Sequence, residues 1–441
     1  PAQLKRQMQG SVLELRAAEP RTAAAILRPA LVSEAGVDLC GDRVHLVTSA
    51  PAVVADRARE ILRAHAMTDV AVRAVDPSLE DVFVIRLAGA HDGIGATAMQ
   101  DKPAAGADAL ISPTTPNNAT PTGAMPPAVA IDHLERRFGE FVAVNRISLT
   151  VRAGEIFRFL GPNGAGKSTT IRMLCGLLRP TSGGGTVAGY DLGTRAERIK
   201  AEIGYMSQRF SLYEDLTVEE NINFYSGIYG IPRARKRERK AWALAMAGLT
   251  SRRGMRTGAL AGGWKQRLAL GCAILHQPRI IFLDEPTAGV DPVSRRQFWD
   301  LIYALAAQGV TIFVTTHYMD EAEYCDRIGL IYRGDLIALG TPRELKNGMA
   351  QAAVLEVRCA RPAEALEELR HHPNVREAAL FGSSVHVVTA ADAPAADLAV
   401  WLHQRGYATA RCERIAPSLE DVFVAMIEAH DRADAARKDA T

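Results

Sequence analysis

The chain has 441 residues, enough for two to three average domains, and its 48% hydrophobic and 23% charged residues can build real cores. With 52 basic and 50 acidic residues the net charge is +2, so no global field points to nucleic acid as a partner. No run approaches the roughly 20 apolar residues needed to span a bilayer, no signal-peptide pattern is present, and the six cysteines (40, 175, 272, 325, 359, 412) contain no Cys-x-x-Cys pair, which argues against a zinc site or a disulfide framework. The expectation is a soluble protein of a reducing compartment.

Residues 1–92 recur near the far end of the chain. Pro77-Ser-Leu-Glu-Asp-Val-Phe-Val84 is repeated letter for letter as Pro417 to Val424. Val44-His-Leu-Val-Thr48 matches Val385-His-Val-Val-Thr389, Val12-Leu-Glu-Leu-Arg16 matches Val354-Leu-Glu-Val-Arg358, and Leu4-Lys5 matches Leu345-Lys346. The offsets stay between 340 and 342, the mark of a duplicated domain of about 85 residues. Residues 93–127 follow the first copy; they are rich in Pro, Ala, Thr, Gly and Asn without apolar periodicity, and are expected to form a flexible linker.

Residues 128–345 alternate strand-like and helix-like segments, the pattern of an α/β domain with a largely parallel sheet. Gly161-Pro-Asn-Gly-Ala-Gly-Lys-Ser-Thr169 fits G-x-x-x-x-G-K-S/T between a strand over 155–160 and a helix over 169–178. Gly161, Gly164 and Gly166 let backbone N–H groups turn inward around an anion, and the helix start adds its positive dipole end. The loop from Pro162 and Asn163 through Ala165 to Thr169 is thus a phosphate cradle, with Lys167 reaching the β- and γ-phosphates and Ser168 holding Mg²⁺. Ile280-Ile-Phe-Leu-Asp284-Glu285-Pro286 is an apolar strand ending in two carboxylates. Asp284 is placed to bind Mg²⁺, directly or through water, and Glu285 to polarise an attacking water as general base.

Arg158 stands inside the strand that feeds the phosphate cradle, where an apolar or small residue is expected. A buried guanidinium is costly unless paired, so it must find a carboxylate or an exit to water. The basic run Arg233–Lys240 holds six basic residues and one acid. It suits either anionic partners such as nucleic acid and lipid headgroups or a solvated helix face, and the near-neutral total charge favours the second.

In residues 346–441 the periodicity predicts a strand over 354–359, a helix over 363–370, strands over 375–381 and 385–389 turning at Gly382, a helix over 394–404 opened by Pro394, and a strand over 408–414. That β-α-β-β-α-β order is the split βαβ, ferredoxin-like arrangement, followed by one more helix. Ser418, three residues before Asp421, suits a reciprocal cap for that helix. The repeated octapeptide has two readings: a helix start that packs on its own domain, or a regulatory or dimer contact.

The motif order over 128–345 resembles the ATP-binding domain of ABC transporters, about half the chain. The resemblance implies an α/β P-loop NTPase core with a helical subdomain, flanked by the two α+β repeats as tail domains. It further implies that Phe138, 29 residues before Lys167, stacks on adenine, and that Gln208 in Tyr205-Met-Ser-Gln208 senses Mg²⁺ and a membrane partner. Leu260-Ala-Gly-Gly-Trp264 takes the signature position, so Gly262 and Gly263 would cap the γ-phosphate of an opposing subunit's ATP. Asp291 in Gly289-Val-Asp-Pro292 takes the D-loop position, and His317 that of the switch histidine. The signature departs from the family's usual Leu-Ser-Gly-Gly-Gln at Ala261 and Trp264. Loss of the serine hydroxyl removes a charge-assisted hydrogen bond of roughly 1.5–3 kcal/mol. Trp264 followed by Lys-Gln-Arg resembles the second half of tandem subunits of ABC-2-type exporters.

The core-plus-tail layout with its Pro-Ser-Leu-Glu-Asp-Val-Phe ending also resembles those subunits. The expectation is therefore an ATP-hydrolysing exporter subunit, shortened at its amino terminus from a core–tail–linker–core–tail chain. It would use ATP and Mg²⁺, pair with a second ATP-binding domain (a second copy or the missing first core), and act on separate permease chains at the inner membrane face, with drugs the expected cargo. Two other readings are a soluble ABC protein acting on ribosomes or nucleic acid, disfavoured by the Pro/Ala/Thr-rich linker, and a weakly hydrolysing regulator suggested by Ala261.

Overall fold

Ile156–Leu160, Ile280–Asp284 and Thr311–Thr316 bury every one of their residues, the behaviour of parallel strands covered on both faces. The computed structural model describes residues 11–40, 43–75, 126–208, 211–349, 352–390, 394–407 and 410–439. The expected linker and the first copy of the octapeptide lie outside the described residues. The chain divides into two compact units, Pro1–Asp326 and Arg327–Thr441.

The first unit opens with β1 (Ser11–Ala17), α1 (Pro20–Ala30), β2 (Gly36–Cys40), β3 (Arg43–Thr48), α2 (Pro51–Ala64) and β4 (Val70–Val75). It continues with β5 (Val129–Phe138), β6 (Phe141–Val151), β7 (Ile156–Leu160), α3 (Lys167–Leu174), β8 (Ser182–Val187), β9 (Tyr190–Asp191), α4 (Ala196–Glu202) and β10 (Ile203–Met206). Next come α5 (Val218–Ile228), α6 (Arg233–Met246), α7 (Gly262–Ala273), β11 (Ile280–Asp284), α8 (Pro292–Ala307) and β12 (Thr311–Thr316). The second unit holds β13 (Arg327–Tyr332), β14 (Asp335–Gly340), α9 (Pro342–Asn347), β15 (Ala352–Arg358), α10 (Pro362–Arg370), β16 (Val375–Phe381), β17 (Ser384–Ala390), α11 (Ala395–Gln404), β18 (Arg411–Ile415) and α12 (Leu419–Asp439).

The duplication is visible as topology. The first repeat orders its sheet β2-β3-β1-β4 and the second β16-β17-β15-β18, each from the same β-α-β-β-α-β succession. Asp38 and Arg43, absent from the second copy where Ala379 and Ser384 stand, pair with core residues: Arg296 Nη1 lies 3.0 Å from Asp38 and Arg43 Nη2 3.5 Å from Glu323. Arg28 adds a 2.7 Å pair with Asp300.

In the core, β10, β11, β12 and β7 run parallel and side by side in that order. Phe157, Phe159, Phe282 and Phe313 interlock across three of them, with Phe313 5.1 Å from Phe157, 5.9 Å from Phe159 and 5.4 Å from Phe282 by ring centroid. Such tilted pairs add to burial and fix strand registry. The carboxyl ends of these strands carry the functional segments, as open α/β sheets require.

Three local expectations need correcting. Helix α3 ends at Leu174 rather than 178 because Gly176 adopts φ +67 and Leu177 N–H returns 2.9 Å to the Arg172 carbonyl. Pro394 is the N-cap of α11 rather than a member of its first turn. The basic run does form the mainly exposed first half of α6, but Arg239 is buried and donates to the Leu275 and Ile274 carbonyls while lying 4.2 Å from the Trp242 ring.

In the second copy the octapeptide packs on its own unit. Ser418 N and Oγ each donate to Asp421 Oδ2 at 2.7 Å, and Asp421 N–H returns 3.1 Å to Ser418 Oγ. His386 Nδ1 on β17 sits 2.8 Å from Asp421 Oδ1, and Leu419, Val422 and Phe423 are buried beside it. Burial pushes the Asp421 carboxyl up, but the bonds from His386 and Ser418 outweigh it and hold it below its ordinary value of 3.8. Asp421→Ala should therefore cost about 2–4 kcal/mol, read from the urea midpoint of the full chain. That difference is expected in full above pH 3.8 and should shrink as pH falls below it, because protonation removes the same bonds from the wild type.

Candidate functional site

The phosphate cradle is built by a strand-to-helix turn. Gly164 and Gly166 take φ +81 and +105, backbone that a side chain would strain, and Gly166 is the N-cap of α3 with no side-chain cap. The first-turn N–H groups of α3 have no intrahelical acceptor, the arrangement that binds anions at helix starts. Gly161 and Ala165 are buried, Pro162, Ser168 and Thr169 half-buried, and Asn163 exposed at the rim. Lys167 is buried, and its Nζ donates 2.7 Å to the Gly161 carbonyl and 2.9 Å to that of Pro162, holding the ammonium inside the loop. Burial pushes its pKa below 10.5, opposed by the neighbouring carboxylates Glu285 and Asp284.

The strand β11 delivers both acids to the same cleft. Asp284 Oδ1 accepts from Ser168 Oγ at 3.1 Å and from Thr315 Oγ1 at 2.6 Å. Glu285 Oε1 lies 3.9 Å from Lys167 Nζ, while Oε2 accepts from Gln208 Nε2 at 2.9 Å and lies 3.4 Å from His317 Nδ1. Glu285 itself has φ +48, a conformation that non-glycine residues rarely keep without compensation. Its N–H is held by the Thr315 carbonyl at 3.1 Å and by Thr315 Oγ1 at 3.1 Å. Lys167, Ser168, Gln208, Asp284, Glu285 and His317 are thus one site. Burial and then Asp284 push the Cys175 thiol below the cradle well up, which keeps it protonated and inert.

The remaining expected residues lie outside this cluster. Phe138 ends β5 half-exposed, with the Arg136 guanidinium 4.5 Å from its ring centroid. Gly262 opens α7 with nothing within 4 Å of where a Cβ would stand, whereas a Cβ on Gly263 would overlap Ser294 of α8. Asp291 Oδ1 accepts from Ser294 N–H at 2.9 Å and so caps α8. Trp264 is held between two guanidiniums, Arg252 at 4.3 Å and Arg267 at 4.6 Å. Gln266 donates to the Pro286 carbonyl, directly after Glu285, and Arg267 to Gln297 of α8. The signature helix is therefore fixed to the segment that follows the two acids.

Sequence reasoning missed the roles of Thr315, which holds Asp284 and the Glu285 N–H, and of Gln266, which holds the Pro286 carbonyl. Their signal was position, Thr315 two residues before His317 and Gln266 inside the Lys-Gln-Arg run after Trp264. The partner of Arg158 is Glu321, 2.6 Å away, and both side chains are buried, so the exit to water is not used.

The donor set fits the implied groups. Ser168 Oγ, the Asp284 carboxylate and the Gln208 amide are hard oxygen ligands of the kind Mg²⁺ takes, and a polyanion suits a loop of positive-φ glycines beside a buried ammonium.

A family model described as ABC transporter matches residues 144–288. The "Probable multidrug ABC transporter ATP-binding protein YbhF" of Escherichia coli (strain K12) is 46% identical over 288 residues, 65% of this chain but 47% of that protein. The chain thus spans about half the length of that relative. "Nod factor export ATP-binding protein I" of Rhizobium sp. (strain N33) is 37% identical over 299 residues, covering 67% of this chain and 96% of its own. "Linearmycin resistance ATP-binding protein LnrL" of Bacillus subtilis (strain 168) is 38% identical over 227 residues, 51% of this chain and 73% of the relative. Identity at that level over nearly the whole of one relative, with the phosphate cradle, paired acids, glutamine and histidine meeting in one cleft, makes the chain a member of the ABC transporter ATP-binding protein family.

Proposed function

We propose that this chain is the ATP-binding and hydrolysing subunit of an ABC-2-type exporter, driving separate permease chains at the inner face of the membrane, with multidrug efflux as its service. The observation that carries the reading is the convergence on Glu285: an amide 2.9 Å away, an imidazole at 3.4 Å and an ammonium at 3.9 Å surround a carboxylate able to take a proton from water. Among the described residues no helix is long and apolar enough to cross a membrane.

Lys167 and the first turn of α3 bind the phosphates of ATP, and Ser168 with Asp284 would hold Mg²⁺. Bound there, Mg²⁺ would supply charge neutralisation to the phosphates. Glu285 orients the attacking water and receives its proton, and His317 steadies the transferred phosphoryl group. Gly262, with open space around it, offers its N–H to the nucleotide of a second ATP-binding domain. A nucleotide that binds only the closed pair drives closure by mass action.

Transmission to a permease would start at Gln208. The backbone of Tyr213 is held by Asn221, which accepts from its N–H and donates to its carbonyl, both at 2.9 Å, and also donates 2.9 Å to Thr257, three residues before the signature. Tyr213 and Phe224 stand edge-on at 4.7 Å and are 49% and 40% exposed, an apolar surface suited to a membrane-protein partner.

Glu285→Gln should leave ATP binding intact and lower steady-state phosphate release by roughly 10²–10⁴-fold, trapping an ATP-loaded pair visible by size-exclusion chromatography. Unchanged turnover would refute the base assignment. Lys167→Ala should weaken ATP binding by about one to two orders of magnitude in isothermal calorimetry, the loss of charge-assisted bonds to phosphate. Phosphate release measured with and without permease-bearing membranes separates a transport motor, which is stimulated, from a free-standing ATPase, which is not.

A further inference from the structure

Arg158 occupies the middle of β7, wholly buried and paired in parallel with β12. Among the described residues, only its Nη2 has a hydrogen-bond partner, Glu321 Oε2 at 2.6 Å; Nε and Nη1 are buried without one. Its guanidinium also lies 5.5 Å from the Trp299 ring. A charge so poorly served is a weak way to stabilise a fold, because apolar residues of similar volume do as well or better.

Glu321 shows what the charge accomplishes. It sits in the 3-10 turn Asp320–Tyr324, four residues after His317, and is 1% exposed. Besides Arg158, its Oε1 accepts from Thr287 Oγ1 at 2.6 Å and lies 3.4 Å from Arg295 Nε, and its Oε2 accepts from Thr316 Oγ1 at 3.5 Å. Thr287 follows Glu285 by two residues, Thr316 directly precedes His317, and Arg295 belongs to the first turn of α8 beyond Asp291. One carboxylate therefore gathers four segments: the strand entering the phosphate cradle, the stretch after the paired acids, the switch strand and the helix capped by Asp291.

We propose that Arg158 and Glu321 are positioning residues for ATP hydrolysis, a buried clasp that fixes His317 and the Glu285–Asp291 segment relative to the phosphate cradle. The inference rests on the ATPase reading above. It touches neither nucleotide nor metal, so its effect falls on turnover rather than on binding.

The test uses the full chain and four variants: Arg158→Met, Arg158→Lys, Glu321→Asp and the double variant Arg158→Met with Glu321→Gln, which leaves no formal charge unpaired between the two. The expected result for Arg158→Met, Glu321→Asp and the double variant is a fall in kcat of about 10–100-fold, the scale of a small misplacement of reacting groups. KM for ATP and calorimetric affinity for a non-hydrolysable ATP analogue should stay within about threefold, and Arg158→Lys should recover most of the wild-type rate. In a His317→Ala background, Arg158→Met should cost less than its full factor, since the part of its effect that runs through His317 is already lost. Wild-type kcat in the double variant, or a full multiplicative loss in the His317→Ala background, overturns the clasp. Should the Met variants fail to fold, Glu321→Asp keeps the charge and decides alone: an undiminished kcat overturns the proposal. Glu285→Gln run in parallel distinguishes the two readings, since normal turnover there sinks the hydrolysis assignment itself.

Discussion

A carboxylate held in a left-handed backbone at the end of a fully buried strand is the constraint around which the core is arranged. Glu285 cannot relax into the sheet, because β11 ends at Asp284, and it cannot reach bulk water freely, because it is 9% exposed. Its backbone is held by Thr315 from the neighbouring strand, and its side chain meets groups from three different loops. Strained backbone of this kind costs of order 1–3 kcal/mol and persists only where the surroundings over-determine it. Here the surroundings are the parallel pairing of β11 with β12 and the aromatic packing beneath it. The cost yields an acid whose two oxygens point at a lysine on one side and at a glutamine and a histidine on the other.

The same strand end governs how far a local change can travel. Beyond Glu285 the chain passes Pro286, whose carbonyl is taken by Gln266 of the signature helix, and Thr287, whose hydroxyl goes to Glu321. It then reaches Asp291, which caps α8, the helix against which Gly263 packs without room for a methyl group. Signature helix, acid segment and α8 are thus joined by short polar contacts, of which those of Gln266 and Thr287 are buried and costly to break. A displacement at one of them is shared by the others rather than absorbed.

Much of the candidate site is legible in linear motifs, since the cradle, the paired acids, Gln208 and His317 each occupy a few consecutive residues whose chemistry is explicit. What escaped was the support. Thr315 and Glu321 act across 31 and 163 residues of chain, on Asp284 and Arg158 respectively, and threonine or glutamate at those places carries no local signature. Arg239 escaped for the related reason that a basic run reads as solvated until a groove formed by another helix end supplies carbonyls for one of its members. The end of α3 was misjudged because apolar periodicity continues through Leu177 and Leu178 while Gly176 has already turned the backbone.

The duplicated domains separate what the fold needs from what each copy does. Buried positions keep their character in both: Leu13 and Leu355, Leu15 and Val357, Leu27 and Leu369, Leu46 and Val387, Leu62 and Leu402 all lie in cores. Sheet order is accordingly unchanged. The edge hairpin has diverged instead, with Asp38 and Arg43 in the first copy against Ala379 and Ser384 in the second. Retention of the buried set explains the shared topology without these half-buried ion pairs. The charges of the first copy are better understood as fixing where it sits: Asp38 meets Arg296 of α8, and Arg43 meets Glu323 in the turn that carries Glu321. The two repeats thus share a buried interior and differ at an edge hairpin that, in the first copy, contacts α8 and the turn that carries Glu321.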